Sequence, residues 1–160
     1  MSKLDKAIEQ VLFENNIPNE WSSEINNELD QLKSETNSSR ADLTDKPFIT
    51  IDGKDAKDFD DAVFCENKDS NIILWVEISD VAEIVTEGSK IDLEAFKRGT
   101  SIYFPKNVVP MLPEKISNNL CSLVPNEKRN VLVCKIKFHD NGEINSVSYT
   151  HLRAHETRTY

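Results

Sequence analysis

The chain has 160 residues, 38% of them hydrophobic and 29% charged, with a formal net charge of −9. That allows one domain with a modest core and excludes a disordered chain. The acidic balance, taken alone, argues against a nucleic-acid binder, whose phosphate contacts need Lys and Arg, so the acidity has to be localised or offset by a cation or by basic parts outside this sequence.

Up to about Arg40 the pattern is helical. Ala7, Ile8, Val11 and Leu12 form one apolar stripe, and Ile25, Leu29 and Leu32 form another. Pro18 separates the two. Ser22 or Ser23 is the candidate cap of the second helix, and Glu24 in its first turn favours the dipole. The polar stretch Ser34–Arg40 reads as a linker.

From Asp42 to Ser146 the period changes. Phe48–Ile51, Ala62–Cys65 and Ile72–Ile78 are short β-branched or aromatic runs of strand type. Lys90–Arg98 predicts a helix, whereas the Pro-rich stretch Pro105–Pro113 can be neither a long helix nor a central strand. Val131–Phe138 alternates: Leu132, Cys134, Ile136 and Phe138 make a fully apolar face, and Val131, Val133, Lys135 and Lys137 a half-polar one. Asp140-Asn141-Gly142 then signals a hairpin turn. Mixed strands and helices predict an α/β or α+β fold. Cys65, Cys121 and Cys134 are odd in number, far apart and without a C-x-x-C pair, so we expect reduced, mostly buried thiols. No apolar run reaches membrane length, and Met1–Gln10 lacks a hydrophobic signal core; the expectation is a soluble cytoplasmic protein with no membrane partner.

The tail, 147–160, shows neither a strand period nor a helical stripe. Its run Val-Ser-Tyr-Thr-His-Leu-Arg-Ala-His-Glu-Thr resembles the conceptual translation of a transposase adapter used in sequencing libraries, which makes a non-native tail the expectation. His151 and His155, four apart, would share a helical face and could bind a metal there, but two histidines without further ligands are a weak signal. The expected divisions are therefore 1–40, a helical lead-in and linker; 41–146, the body of the domain; and 147–160, the tail.

The chemistry is concentrated in Thr50–Asp61, where Asp52, Asp55, Asp58, Asp60 and Asp61 place five carboxylates within ten positions between strand-like runs. Unneutralised carboxylates a few ångströms apart repel by roughly 1 to 4 kcal/mol per pair. Gathering them needs a cation or raised pKa values. A hard divalent ion such as Mg²⁺ takes a few carboxylates plus water and substrate phosphate, the combination used in metal-assisted phosphodiester cleavage. A merely solvated acidic loop is the bland alternative, against which stand Phe59, planted among the acids, and the flanking apolar strands. The spacing fails as an EF-hand, and Asp58-Phe59-Asp60 is a D-x-D triplet that some sugar-nucleotide transferases also use. Adjacent strand residues face opposite ways, so Asp60 and Asp61 can serve one site only through a bend between them.

Beyond spacing, Arg40-Ala-Asp42-Leu43 with Thr50-Ile-Asp52-Gly-Lys-Asp-Ala-Lys-Asp58-Phe-Asp60-Asp61-Ala62 resembles the signature of the ribonuclease R and ribonuclease II family of RNB-domain exoribonucleases. Trp75-Val-Glu-Ile-Ser-Asp80-Val81, Gly88-Ser89, Arg98-Gly-Thr-Ser-Ile-Tyr103-Phe-Pro105, Pro110-Met-Leu-Pro-Glu114 and Leu120-Cys-Ser-Leu123 follow in the family's order, over about residues 40 to 146. Residues 3–33 resemble the helical stretch preceding that domain, and Asp52-Gly53 with Asp58-Phe59 is closer to the ribonuclease R pattern.

The resemblance implies the N-terminal part of an RNB catalytic domain, a mixed sheet with helices behind a short helical segment. It implies Mg²⁺-dependent, processive 3′-to-5′ hydrolysis of single-stranded RNA to nucleoside 5′-monophosphates. By position Asp52, Asp58, Asp60 and Asp61 resemble the catalytic carboxylates. Asp52 and Asp61 are then the direct metal ligands, Asp58 supports them, and Asp60 is the one whose loss abolishes cleavage. Tyr103 resembles the aromatic that packs on the terminal nucleotide, a sequence-tolerant contact. The family's later arginine, further acids, second stacking aromatic and flanking RNA-binding barrels lie outside these 160 residues, so the chain alone is expected to be an inactive fragment. Two other readings are a non-catalytic RNA-binding relative and a D-x-D enzyme acting on sugar nucleotides.

Overall fold

A computed structural model describes residues 2–33, 39–105, 107–155 and 158–159. The chain divides into two compact units that do not follow chain order: one joins Met1–Leu32 with Val85–Lys115, the other Lys33–Ile84 with Ile116–Tyr160.

In the first unit, α1 (Lys3–Glu14) opens with a reciprocal cap, Ser2 Oγ accepting from the Asp5 amide at 3.1 Å while the Asp5 carboxylate accepts from the Ser2 amide at 2.7 Å. Ile8 and Leu12 are buried and cluster with Val109. Ala7 and Val11, expected on the same stripe, are exposed, so the buried face is only one i, i+4 row wide, as suits a helix lying on a surface. In α2 (Ser23–Gln31) the cap is Ser22, whose Oγ accepts from the Ile25 amide, and Glu24 sits in the first turn. The predicted helix is α3 (Lys90–Arg98), capped by Ser89 and ended by Gly99 at φ +71°, a left-handed turn natural to glycine. Arg98 lies 3.6 Å over the Trp21 ring and donates to the carbonyls of Glu20 and Pro110. The Pro-rich stretch holds only a short two-stranded ribbon, β5 (Ile102–Phe104) against β6 (Asn107–Val109).

The second unit is built on a seven-stranded sheet. Its centre is an antiparallel succession of β3 (Asp61–Lys68), β4 (Asn71–Ser79), β7 (Lys128–His139) and β8 (Ile144–His155). Beside β8 lies the short parallel β1 (Ala41–Asp42); beside β3 lie β2 (Ile49–Thr50) and, parallel to it, β9 (Arg158–Thr159). The β3–β4 turn puts Asp69 and Ser70 at positive φ, the backbone that matches strand twist in a two-residue hairpin. Gly142, at φ +86°, lies in the β7–β8 turn that the sequence signalled.

Register sorts the side chains. Ala62, Glu77 and Val133 stand opposite one another across β3, β4 and β7. On that face Phe48, Ala62, Leu123, Val131 and Val133 form the core, with Leu43, Phe59, Phe64 and Trp75 packed against it. It is thus the half-polar face of β7 that supplies buried valines, while Leu132 of the fully apolar face is 40% exposed. The reason is tertiary: Phe48 and Leu123 cover one face. Of the thiols, Cys121 is buried, Cys134 half-buried and Cys65 exposed, so the expected general burial fails at Cys65.

The tail departs from expectation too. It continues β8 to His155, paired with β7 from Lys128 onward. Backbone pairing along an open strand satisfies N–H and C=O groups whatever the side-chain period. Both histidines of the tail lie in that strand, so the helical face on which they could share an ion is not formed. Most of the predicted linker, residues 34–38, lies outside the described residues. Among the described residues no helix is long and apolar enough to cross a membrane.

Candidate active site

Between β2 and β3 the chain leaves the ladder. Residues 51–60 carry no helix or strand, and β3 begins at Asp61. Asp60 therefore precedes the regular strand and Asp61 opens it. Asp52 is half-buried; Asp58, Asp60 and Asp61 reach solvent.

The irregular backbone is tied down from a distant segment. A short π-helical turn, Ile116–Leu120, leads into Cys121-Ser122-Leu123. The fully buried Ser122 hydroxyl accepts from the Phe59 amide at 3.1 Å and donates to the Lys57 carbonyl at 2.8 Å. The Leu123 amide donates to the Phe59 carbonyl, and the Ser79 amide of β4 to the Asp60 carbonyl, both at 2.9 Å. Phe59 meanwhile packs against the sheet core, which is why an aromatic stands among the acids. The carbonyls of Lys57 and Asp60 and both backbone groups of Phe59 are thus used inward, while the carboxylates on either side of Phe59 remain at the surface.

Arg129, 6% exposed, supports that segment by donating to the carbonyls of Ser122, Asn119 and Lys128 at 3.1 Å each. Arg40, from the signature's first residues, pairs with Asp80 at 2.7 Å and with Glu83. Burial works against its charge, but these two carboxylates outweigh that and raise its pKa.

Electrostatics single out Asp60. Burial raises its pKa above the ordinary 3.8, and the charges of Asp58, Asp61 and Asp52 push it the same way. The other three acids drawn from the sequence thus act on one carboxyl. Asp55 does not contribute. Among the described residues no three His, Cys, Asp or Glu side chains close into a ready-made cage. The donor set still suits Mg²⁺, which takes one or two carboxylates directly and keeps water and phosphate for the rest. Tyr103 belongs to the other unit, on β5, and is 71% exposed.

The model of the RNB domain matches residues 40–153. The chain belongs to the RNB-domain family. Ribonuclease R of Buchnera aphidicola from Acyrthosiphon pisum is 45% identical over 152 residues, covering 91% of this chain and 20% of that protein. Ribonuclease R of Escherichia coli is 40% identical over 161 residues, covering 96% and 20%. Among solved structures, Mycoplasma genitalium RNase R in complex with ribose-methylated single-stranded RNA superposes with a TM-score of 0.91 at 36% identity, over 96% of this chain and 25% of that one. Yeast Ssd1, a pseudonuclease, shares the fold with a TM-score of 0.70 at 21% identity. The chain spans about a fifth of the length of the curated relatives it matches. Its mixed helices and antiparallel sheet are those of the N-terminal part of an RNB domain, an α+β fold and one of the two classes the pattern allowed.

Local patterning missed Ser122 and Arg129 as parts of this RNB site. Leu120-Cys-Ser-Leu123 carried family likeness only, and nothing in its own period points to a partner 63 residues away.

Proposed function

We propose that this chain is the acid-bearing segment of a Mg²⁺-dependent 3′-to-5′ exoribonuclease that shortens single-stranded RNA to nucleoside 5′-monophosphates. The observation that carries the reading is the crowding of Asp52, Asp58, Asp60 and Asp61 in one loop whose backbone is tethered beside the sheet. Family membership supplies the reaction class, and the ribonuclease R relatives supply the substrate class. Fold alone could not, since a pseudonuclease shares it.

In the reaction water attacks the phosphorus of the last phosphodiester and the bond to the 3′ oxygen breaks, leaving a 5′-monophosphate and a new 3′ hydroxyl. Mg²⁺, when bound, supplies the charge that offsets the phosphate oxygens. Asp52 and Asp61 are the residues to hold it, with Asp58 in support. Asp60, where the repulsion of all three is felt, gains most from that charge. Tyr103 offers an exposed ring for the terminal base. The 160 residues alone are expected to be inactive, because the basic RNA channel belongs to parts beyond them.

A protein carrying this segment at the full length of its relatives should degrade RNA in Mg²⁺ and stop in EDTA. Asp60→Asn should lower the rate by about 10³-fold or more, the equivalent of several kcal/mol of transition-state stabilisation. Undiminished cleavage by Asp60→Asn would overturn the assignment.

A further inference from the structure

We propose that Ser122 is a positioning residue for the acidic loop, setting the spacing of its carboxylates and hence its affinity for a divalent cation. The inference rests on the reading of those acids as cation holders but adds a residue from outside their motif.

Four hydrogen bonds define the arrangement. One hydroxyl, fully buried, both accepts from the Phe59 amide and donates to the Lys57 carbonyl, so its donor and one acceptor lone pair are committed to the two residues flanking Asp58. The Leu123 amide closes a third bond onto Phe59, and the Ser79 amide a fourth onto Asp60. With Phe59 locked on both backbone groups, Asp58 and Asp60 leave the chain on either side of a fixed point. Without the hydroxyl, two backbone groups lose their partner, and mutual repulsion among the acids would be free to spread the loop.

The anchor is itself rigid. Arg129 is buried, and its three carbonyl acceptors fix Asn119 and Ser122 against β7. Residues behind direct ligands commonly change cation affinity by about 10- to 100-fold when removed.

The test is Mn²⁺ binding to this chain, followed by the loss of the free-ion electron paramagnetic resonance signal. Hydrogen exchange at the Phe59 amide is the second readout. Ser122→Ala should weaken Mn²⁺ by about tenfold or more with the number of ions bound unchanged, and should expose the Phe59 amide to exchange. Ser122→Cys, which keeps a weak donor and acceptor at that point, should fall between, and it carries the test if the alanine variant loses cooperative unfolding. Ile73→Val, a core change in the same unit outside the cluster that Phe59 joins, should lower stability without changing Mn²⁺ affinity.

Equal Mn²⁺ affinity in folded wild-type and Ser122 variants overturns the proposal. Wild-type chain whose Mn²⁺ binding does not depend on Asp52 and Asp61 instead overturns the reading of the acids. Phe59 exchange then judges the tether, and protection unchanged in Ser122→Ala sinks it.

Discussion

The β3–β4–β7 ladder and the loop Ile51–Asp60 adjoin in sequence yet hold their shape by different means. In the ladder each residue meets a partner at fixed register, from Asp61 opposite Ile78 to Lys68 opposite Asn71, so losing one side chain leaves the backbone bonds intact. In the loop the backbone has no ladder, and a serine 63 residues away does the same work. The first design spreads stability over many equal contacts. The second concentrates it in a few, which suits a place where like charges must stay close.

That contrast can be broken at either end. The largest stability effect should come from the core against the sheet: Phe48→Ala, from a fully buried position, should cost about 3–5 kcal/mol in urea unfolding. A loss below about 1 kcal/mol would mean that the sheet does not depend on its covering residues.

A smaller effect of opposite sign is expected at the loop. Because the folded state raises the Asp60 pKa above 3.8, the folded chain binds that proton more readily than the unfolded one, and stability falls as pH rises through the ordinary carboxylate range. Asp60→Asn removes this penalty. The variant should therefore unfold at higher urea than its parent at pH 7, the gap closing below about pH 3.8. Destabilisation at pH 7 would show that Asp60 is a structural partner rather than a strained acid.

The smallest expected difference is one of reactivity. Burial pushes the Cys121 thiol up to about 11, despite its bond with Ser79 and the charge of Arg129, while Cys65 is exposed on β3. Iodoacetamide at pH 8 should label Cys65 and spare Cys121 in the folded chain, with mass spectrometry reading the two sites. Equal labelling would show that the segment carrying Ser122 opens readily.

Much of the fold could be read from local pattern. α3 runs from Lys90 to Arg98 as predicted, because Ser89 and Gly99 cap it at both ends. β4 and β7 follow from their β-branched and alternating residues. The regular strand begins at Asp61, one residue after Asp60, although the Ser79 amide still bonds the Asp60 carbonyl. The α1 stripe came out narrower because periodicity marks which residues could be buried, not how much surface covers them; Val11 stays 41% exposed. The covered face of β7 went against pattern for the same reason, as did the tail, where strand pairing overrode an absent period.

By itself the sequence determined most of the helices and strands, which depend on neighbours a few residues away, and the crowding of five acids into ten positions. Only the tertiary structure decided which side of the sheet is core and that Ser122 holds the acidic loop. Those outcomes depend on contacts between segments tens of residues apart, and no local spacing encodes them.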